Sequence, residues 1–309
     1  MVRVNKKVSQ NIPHGIGYFT DLHAESRPLR VPNAAAKMET ARKSGVRAFC
    51  IGGDIFTLTG QQWAILKVGA NEDQRKEMED HSKKLVDHGA PLFIEAAGGL
   101  PIFIIKGNAD HIAYEYMKKK YAGKFIFVDN MSPISLPPTR FVMLGLGGIP
   151  APVGDRNAGI PQNSPWYRGV LTSTEYDALI RTGFSPDQIW AWVHTILMIH
   201  PPVKGHLDMY PDVPGHLGSQ AWLDFVEQNH PLIVLCGHVH AGPFTFDAAG
   251  NIISRKSHSV VDNSTLLVNT GSQEGSDDVK VDIIDIDLAY RMRIDGKLEQ
   301  GAGNCISPV

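Results

Sequence analysis

The chain has 309 residues, 43% hydrophobic and 20% charged, an ordinary globular balance that can fill a sizeable core. A formal net charge of −2, with no basic block beyond Lys118-Lys119-Lys120, argues against nucleic acid as a partner. No apolar run approaches the ~18 residues needed to span a bilayer, and the polar N-terminus lacks the apolar centre of a signal peptide. Three cysteines, with Cys50 and Cys236 inside apolar runs and Cys305 in the tail, make no disulfide framework. A cytoplasmic protein with no membrane contact is expected.

Residues 1–14 are polar and aperiodic, a loose lead-in. A strand then ends at Asp21. Pro28 and Pro32 predict a loop over 24–33, and 34–44 is rich in helix formers with Gly45 as a stop. A second strand, 47–51, leads to Asp54. Helix is predicted from near Asn71 through Lys84, with a pause at Gly89-Ala90-Pro91 and a short second helix over 92–97. The strand 101–105 ends at Asn108, the helix 112–121 follows, and short strands are predicted at 125–128 and 141–146.

The pattern changes at 151–190, which reads as an insertion holding Trp166, Tyr167, Trp190 and the start of a helix that reaches Trp192. Its aromatics could pack in the core or wall a crevice. Next come a strand ending at His200, a Pro/Gly-rich loop over 201–217 with His206 and His216, a helix over 219–229, and the apolar run 231–236. The last part reads as strands at 244–246, 252–254, 266–269, 279–287 and 290–294, with a mobile tail after Gly296. Early strand–helix units followed by a β-rich half predict an α/β fold with two sheets packed face to face and helices outside.

One move recurs at five predicted strand ends. An apolar run stops, and a metal-competent residue follows: Asp21-Leu22-His23, Gly53-Asp54, Gly107-Asn108, His200, and Gly237-His238-Val239-His240. In open α/β sheets, ligands sit in the crevice beyond the carboxyl ends of the strands. Asp21, His23, Asp54, Asn108, His200, His238 and His240 are therefore candidates for one polar site. They are too many for one ion of ordinary coordination and suit two ions sharing a bridge. Oxygen and imidazole donors without a thiolate favour Mn, Fe, Zn, Co or Ni.

This order of motifs resembles the calcineurin-like metallophosphoesterase superfamily, from Asp21 to Asn269-Thr270-Gly271-Ser272. The resemblance implies a four-layer α/β/β/α sandwich of two mixed sheets flanked by helices, forming a single domain over 1–309. It implies that Asp21, His23 and His240 bind one ion, that Asn108, His200 and His238 bind the other, and that Asp54 bridges them. It also implies hydrolysis of a small-molecule phosphate ester by metal-activated water, manganese being one candidate metal, with Asn108 donating to a phosphate oxygen.

Where the family reads Gly-Asn-His followed by an acid, this chain reads Gly107-Asn108-Ala109-Asp110. Alanine cannot protonate a leaving group, so phosphodiesters are the expected substrates. His111, His206 or His216 could replace the missing acid, which would give a phosphomonoesterase or protein phosphatase. A non-catalytic scaffold of the same fold is the alternative from another class. Asp110 is expected to support neighbouring ligands.

Overall fold

The computed structural model describes residues 15–128, 132–136, 139–151, 170–172, 178, 180, 192–209, 215–239, 244–246, 252–255, 257–271 and 277–309. The chain opens with β1 (Gly15–Phe19), α1 (Arg30–Lys43), β2 (Ala48–Ile51), α2 (Gly60–Val68), α3 (Glu72–Ala97), β3 (Ile102–Ile104), α4 (His111–Lys120) and β4 (Ile126–Phe127). A second series holds β5 (Ile134–Ser135), β6 (Val142–Leu146), β7 (Ile149–Ala151), β8 (Val170–Thr172), β9 (Thr195–Ile199), α5 (Gln220–Asn229) and β10 (Ile233–Leu235). The remainder forms β11 (Phe244–Phe246), β12 (Ile252–Arg255), β13 (His258–Val261), β14 (Thr265–Val268), β15 (Asp282–Asp285), α6 (Ile286–Ile294), α7 (Leu298–Gly301) and β16 (Ile306–Pro308).

Two six-stranded sheets result, in the orders β16-β15-β1-β2-β3-β4 and β13-β14-β10-β9-β6-β5. Within them β1 to β4 run parallel, as do β6, β9, β10 and β14, while the flanking strands run antiparallel. Alternation along each strand builds the layers. Ile16, Tyr18, Ala48 and Cys50 face a core shared with Ile196, Met198, Leu235 and Val268 of the second sheet. Phe19, Phe49 and Ile51 face outward onto α1, α3 and α4. Leu197, Val234 and Cys236 face outward onto Trp222 and Phe225 of α5. The architecture is the expected sandwich of two mixed sheets flanked by helices. Cys50 and Cys236 are small core residues, free and buried.

Several local expectations are overturned. The predicted loop over 24–33 ends early, because α1 begins at Arg30 and takes Pro32 into its first turn, where a missing N–H costs nothing. Helix α3 does not pause at Pro91. Its buried stripe of Met78, Ser82, Val86, Ala90, Phe93 and Ala97 runs through that point unbroken, with Pro91 on the exposed side. Burying Phe93, Ala96 and Ala97 offsets the lost hydrogen bond. The predicted strand over 290–294 is the second half of α6. Its N-cap, Asp285, accepts from the Leu288 amide at 2.9 Å, and Ile286 and Ala289, three apart, are buried. The tail after Gly296 is held, not loose: Leu298, Ala302 and Cys305 join the inter-sheet core, and β16 extends the first sheet beyond β15. Helix α2 was not expected, although Thr59 and Gln62 have capping-box spacing at its start: the Thr59 amide donates to Gln62 Oε1 at 2.9 Å and the Gln62 amide to Thr59 Oγ1 at 3.1 Å.

The expected insertion over 151–190 lies outside the described residues except at Ala151, β8, Ala178 and Ile180. Trp166, Tyr167 and Trp190 fall outside. Trp192 stacks edge-on against Phe225 at 5.3 Å in the outer core of the second sheet, so this aromatic packs. Among the described residues, no helix is long and apolar enough to cross a membrane.

A candidate metal centre at the strand ends

Because the central strands of both sheets are parallel, their carboxyl ends share one edge, and the motif residues meet there. The loops are stitched by main-chain bonds. The Asp21 amide donates to Gly53 O at 3.0 Å, His23 to Asp54 O at 3.0 Å, and Gly237 to His200 O at 2.9 Å. Glycine is required at Gly107, where an added Cβ would collide with the Asp54 carboxylate. Of the eight non-glycine residues with positive φ among those described, four are Asp21, His23, Asp54 and His238. Such backbone is sparsely populated and persists where the fold over-determines it, commonly at functional sites.

Two groups have donor atoms all within 4.8 Å of one another: Asp54 with His200 and His238, and Asp21 with His23 and Asp54. Asp54 is common to both. Asn108 joins the first group, with Oδ1 at 3.0 Å from His200 Nε2 and 2.9 Å from His238 Nδ1. His200 Nε2 also lies 3.2 Å from Asp54 Oδ2. On its other side, His200 Nδ1 donates to Gly52 O at 2.8 Å, which aims Nε2 at the cluster. The Asp21 carboxylate accepts the His238 amide at 3.0 Å, and the Ala109 amide donates to Asp54 Oδ1 at 2.8 Å. Asp21, Asp54 and His200 are buried, whereas His23, Asn108, Ala109 and His238 are half-buried and form the mouth.

Electrostatics fit the same picture. Burial works against ionising Asp54, but positive charge on His200 and His23 and the Ala109 amide hold its carboxyl well below the usual carboxylate range. Burial likewise opposes charging His200, and Asp54 overrides it, lifting His200 to about 10. Asp110 behaves oppositely: burial and the Asp54 charge push it up to about 7. It ties the site together, accepting from Gly107 N at 2.9 Å and Ile55 N at 3.3 Å. The centre thus gathers carboxylate and amide oxygens with imidazole nitrogens around the two buried carboxylates Asp21 and Asp54. This donor set suits a divalent cation of the borderline to hard type.

His240 lies outside the described residues, as does the His111 side chain at the start of α4. His216 is placed in the loop after β9, with Nδ1 2.9 Å from Oδ1 of buried Asp208. His206 instead bonds the Ser259 hydroxyl at 3.0 Å. Sequence reasoning missed Glu25 and Thr57, which lie behind His23, because a lone acid or threonine next to a motif carries no pattern. It noted Asn269 without assigning a task. Asn269 is buried, and its Nδ2 donates to Gly237 O at 3.3 Å, pinning the turn before His238.

Carboxylates and imidazoles that converge at the strand ends of such a sandwich define a candidate metal centre. The pattern of the calcineurin-like phosphoesterase family matches residues 15–242, most of the chain, and the protein belongs to that family. Family and clusters together support a metal-dependent phosphoester hydrolase. No curated protein matches the chain. One solved crystal structure aligns over 89% of this chain and 96% of its own at 15% identity, with a TM-score of 0.59, a likeness of fold. TT1561 of Thermus thermophilus also aligns over 89% and 96%, at 12% identity and a TM-score of 0.47. Sulfate thiohydrolase SoxB of Thermus thermophilus, in complex with glycerol, aligns over 94% of this chain and 61% of its own, at 9% identity and a TM-score of 0.45.

Proposed function

We propose that the protein hydrolyses small phosphodiesters with two divalent ions, one held by Asp21, His23 and His240 and the other by Asn108, His200 and His238, with Asp54 shared. When bound, the ions would supply an activated water and neutralise charge on the phosphoryl oxygens. The chain's own groups have separate tasks. Asp54 stays ionised through its buried partners. Gly52 O fixes the His200 tautomer. Asn108, with Oδ1 turned to two imidazoles, keeps its amide N–H for an ester oxygen. The same reading treats the chain as one catalytic unit.

Ala109 carries the diester preference. Its side chain is a methyl and its amide is spent on Asp54, so it offers a leaving group no proton. A monoester dianion also brings one more negative charge than a diester and needs more donors around it. A second reading is favoured by one observation. His216, its ring 44% exposed, is backed by Asp208, 1% exposed, in the manner of an oriented acid. In that case His216 protonates a monoester leaving group.

The test is turnover of an aryl phosphodiester and its matching monoester with Mn²⁺ and with chelator. Diester turnover above monoester turnover, abolished by chelator and by Asp54→Asn, is the expected result. Monoester preference that disappears in His216→Ala would establish the second reading instead.

A further inference from the structure

His23 has two ring nitrogens, and only one can face the cluster it shares with Asp21 and Asp54. Its Nδ1 lies 3.0 Å from Thr57 Oγ1 and 3.8 Å from Glu25 Oε1, so Nε2 is left for the cluster. Thr57 is buried and its hydroxyl hydrogen-bonds the Glu25 carboxylate. The chain of contacts therefore runs from Nδ1–H to the threonine oxygen, and from the threonine proton to glutamate. Glu25 is a costly residue to keep there. Its side chain is only 5% exposed, and Oε2 is buried with no hydrogen-bond partner. A half-satisfied carboxylate away from water destabilises a fold. Its remaining hydrogen bonds, to the Ser26 side chain and to main chain at its own position, stay within the turn, and it does not cap the adjacent helix α1, whose N-cap position is Leu29. Glu25 is also outside the convergent group of Asp21, His23 and Asp54, so it stands behind the imidazole and not among the converging atoms. Arg30 and Asp54 are the other charged groups that act on it or are acted on by it.

We propose that Glu25 is a positioning residue that works through Thr57 to hold His23 in one tautomer and strengthen its bond to a divalent ion in the site formed with Asp21 and Asp54. This rests on the two-ion reading above. Partners on the far nitrogen of a ligating histidine fix its orientation and raise its basicity. The glutamate is retained for the ion and not for the fold. Its removal therefore weakens one of the two ion sites and leaves the other intact.

The experiment titrates the metal-stripped full chain with Mn²⁺, counting bound ions, for wild type, Glu25→Gln, Thr57→Val and Thr57→Ser. Melting of each metal-free protein is measured alongside. Wild type should bind two ions. Glu25→Gln and Thr57→Val should bind one ion as before and the other about 10- to 100-fold more weakly, and Thr57→Ser should match wild type. Metal-free Glu25→Gln should melt no lower than wild type, because an amide there removes a buried charge. Two unchanged sites in Glu25→Gln would overturn the inference while leaving the two-ion reading in place, as would a lowered melting temperature of the metal-free variant with unaltered ion binding. Failure of wild type itself to bind Mn²⁺ would overturn both.

Discussion

At the scale of single residues, the site is decided by what is absent from one position. Ala109 stands beside Asn108 at the mouth, half-buried, with its amide donating to Asp54 Oδ1 at 2.8 Å. A histidine there would keep the amide bond and add an imidazole at the opening. Ala109→His should therefore raise monoester turnover relative to diester turnover by about 100-fold, the lower end of the range for general-acid catalysis. The measurement is the ratio of kcat/KM for the two esters in Mn²⁺, with metal content checked to be equal. A ratio that does not move would mean that the mouth of this site cannot bring a side chain at 109 to the leaving group. Gly107 shows the opposite constraint, since its missing side chain is what lets the Asp54 carboxylate lie against the next loop.

At the scale of elements, α3 shows tertiary packing overriding local propensity. Asn71 and Gln74 form a reciprocal capping box at its start, and Gly98 ends it in the left-handed region at φ 58. Between them Pro91 removes one donor, yet the buried stripe continues on both sides. Pro91→Ala restores the donor at an exposed position. It should raise stability, by up to about 3 kcal/mol if the helix straightens without repacking. Urea denaturation measures this directly, and an unchanged midpoint would mean that the helix is bent around proline and that its core contacts depend on the bend. The same logic explains α6. Residues 290–294 alternate like a strand, but Asp285 caps a helix whose Ile286 and Ala289 reach the inter-sheet core.

At the scale of the whole molecule, the two sheets and the carboxyl-terminal elements form one packing problem. Leu298, Ala302 and Cys305 lie in the same core as Tyr18, Phe103 and Met198. Deleting 297–309 removes those contacts and uncovers β15, whose ladder with β16 pairs Ile283 with Ser307 and Ile284 with Ile306. Such a truncation should lower the melting temperature sharply and reduce metal binding with it, because β15 flanks β1, which leads into Asp21 and His23. Unaltered melting would show that the core closes without this segment.

The sequence by itself determined the class of fold, the family and the candidate donors. Each parallel strand that leads to the site is a short apolar run that must be buried on both faces, and each stops at a glycine or directly at Asp21 or His200. Those signals are local and survive in one dimension. Other features were not local. That Pro91 would sit inside a helix, that 290–294 would be helical and that the tail would be held all depended on which face each segment could bury against another. The left-handed backbone at Asp21, His23, Asp54 and His238 is likewise imposed by neighbouring loops. Glu25 and Thr57 became visible only when two loops, about 30 residues apart in the chain, met behind one imidazole. A hydrogen bond between such loops leaves no period or spacing in the sequence, so only the tertiary structure could bring them to notice.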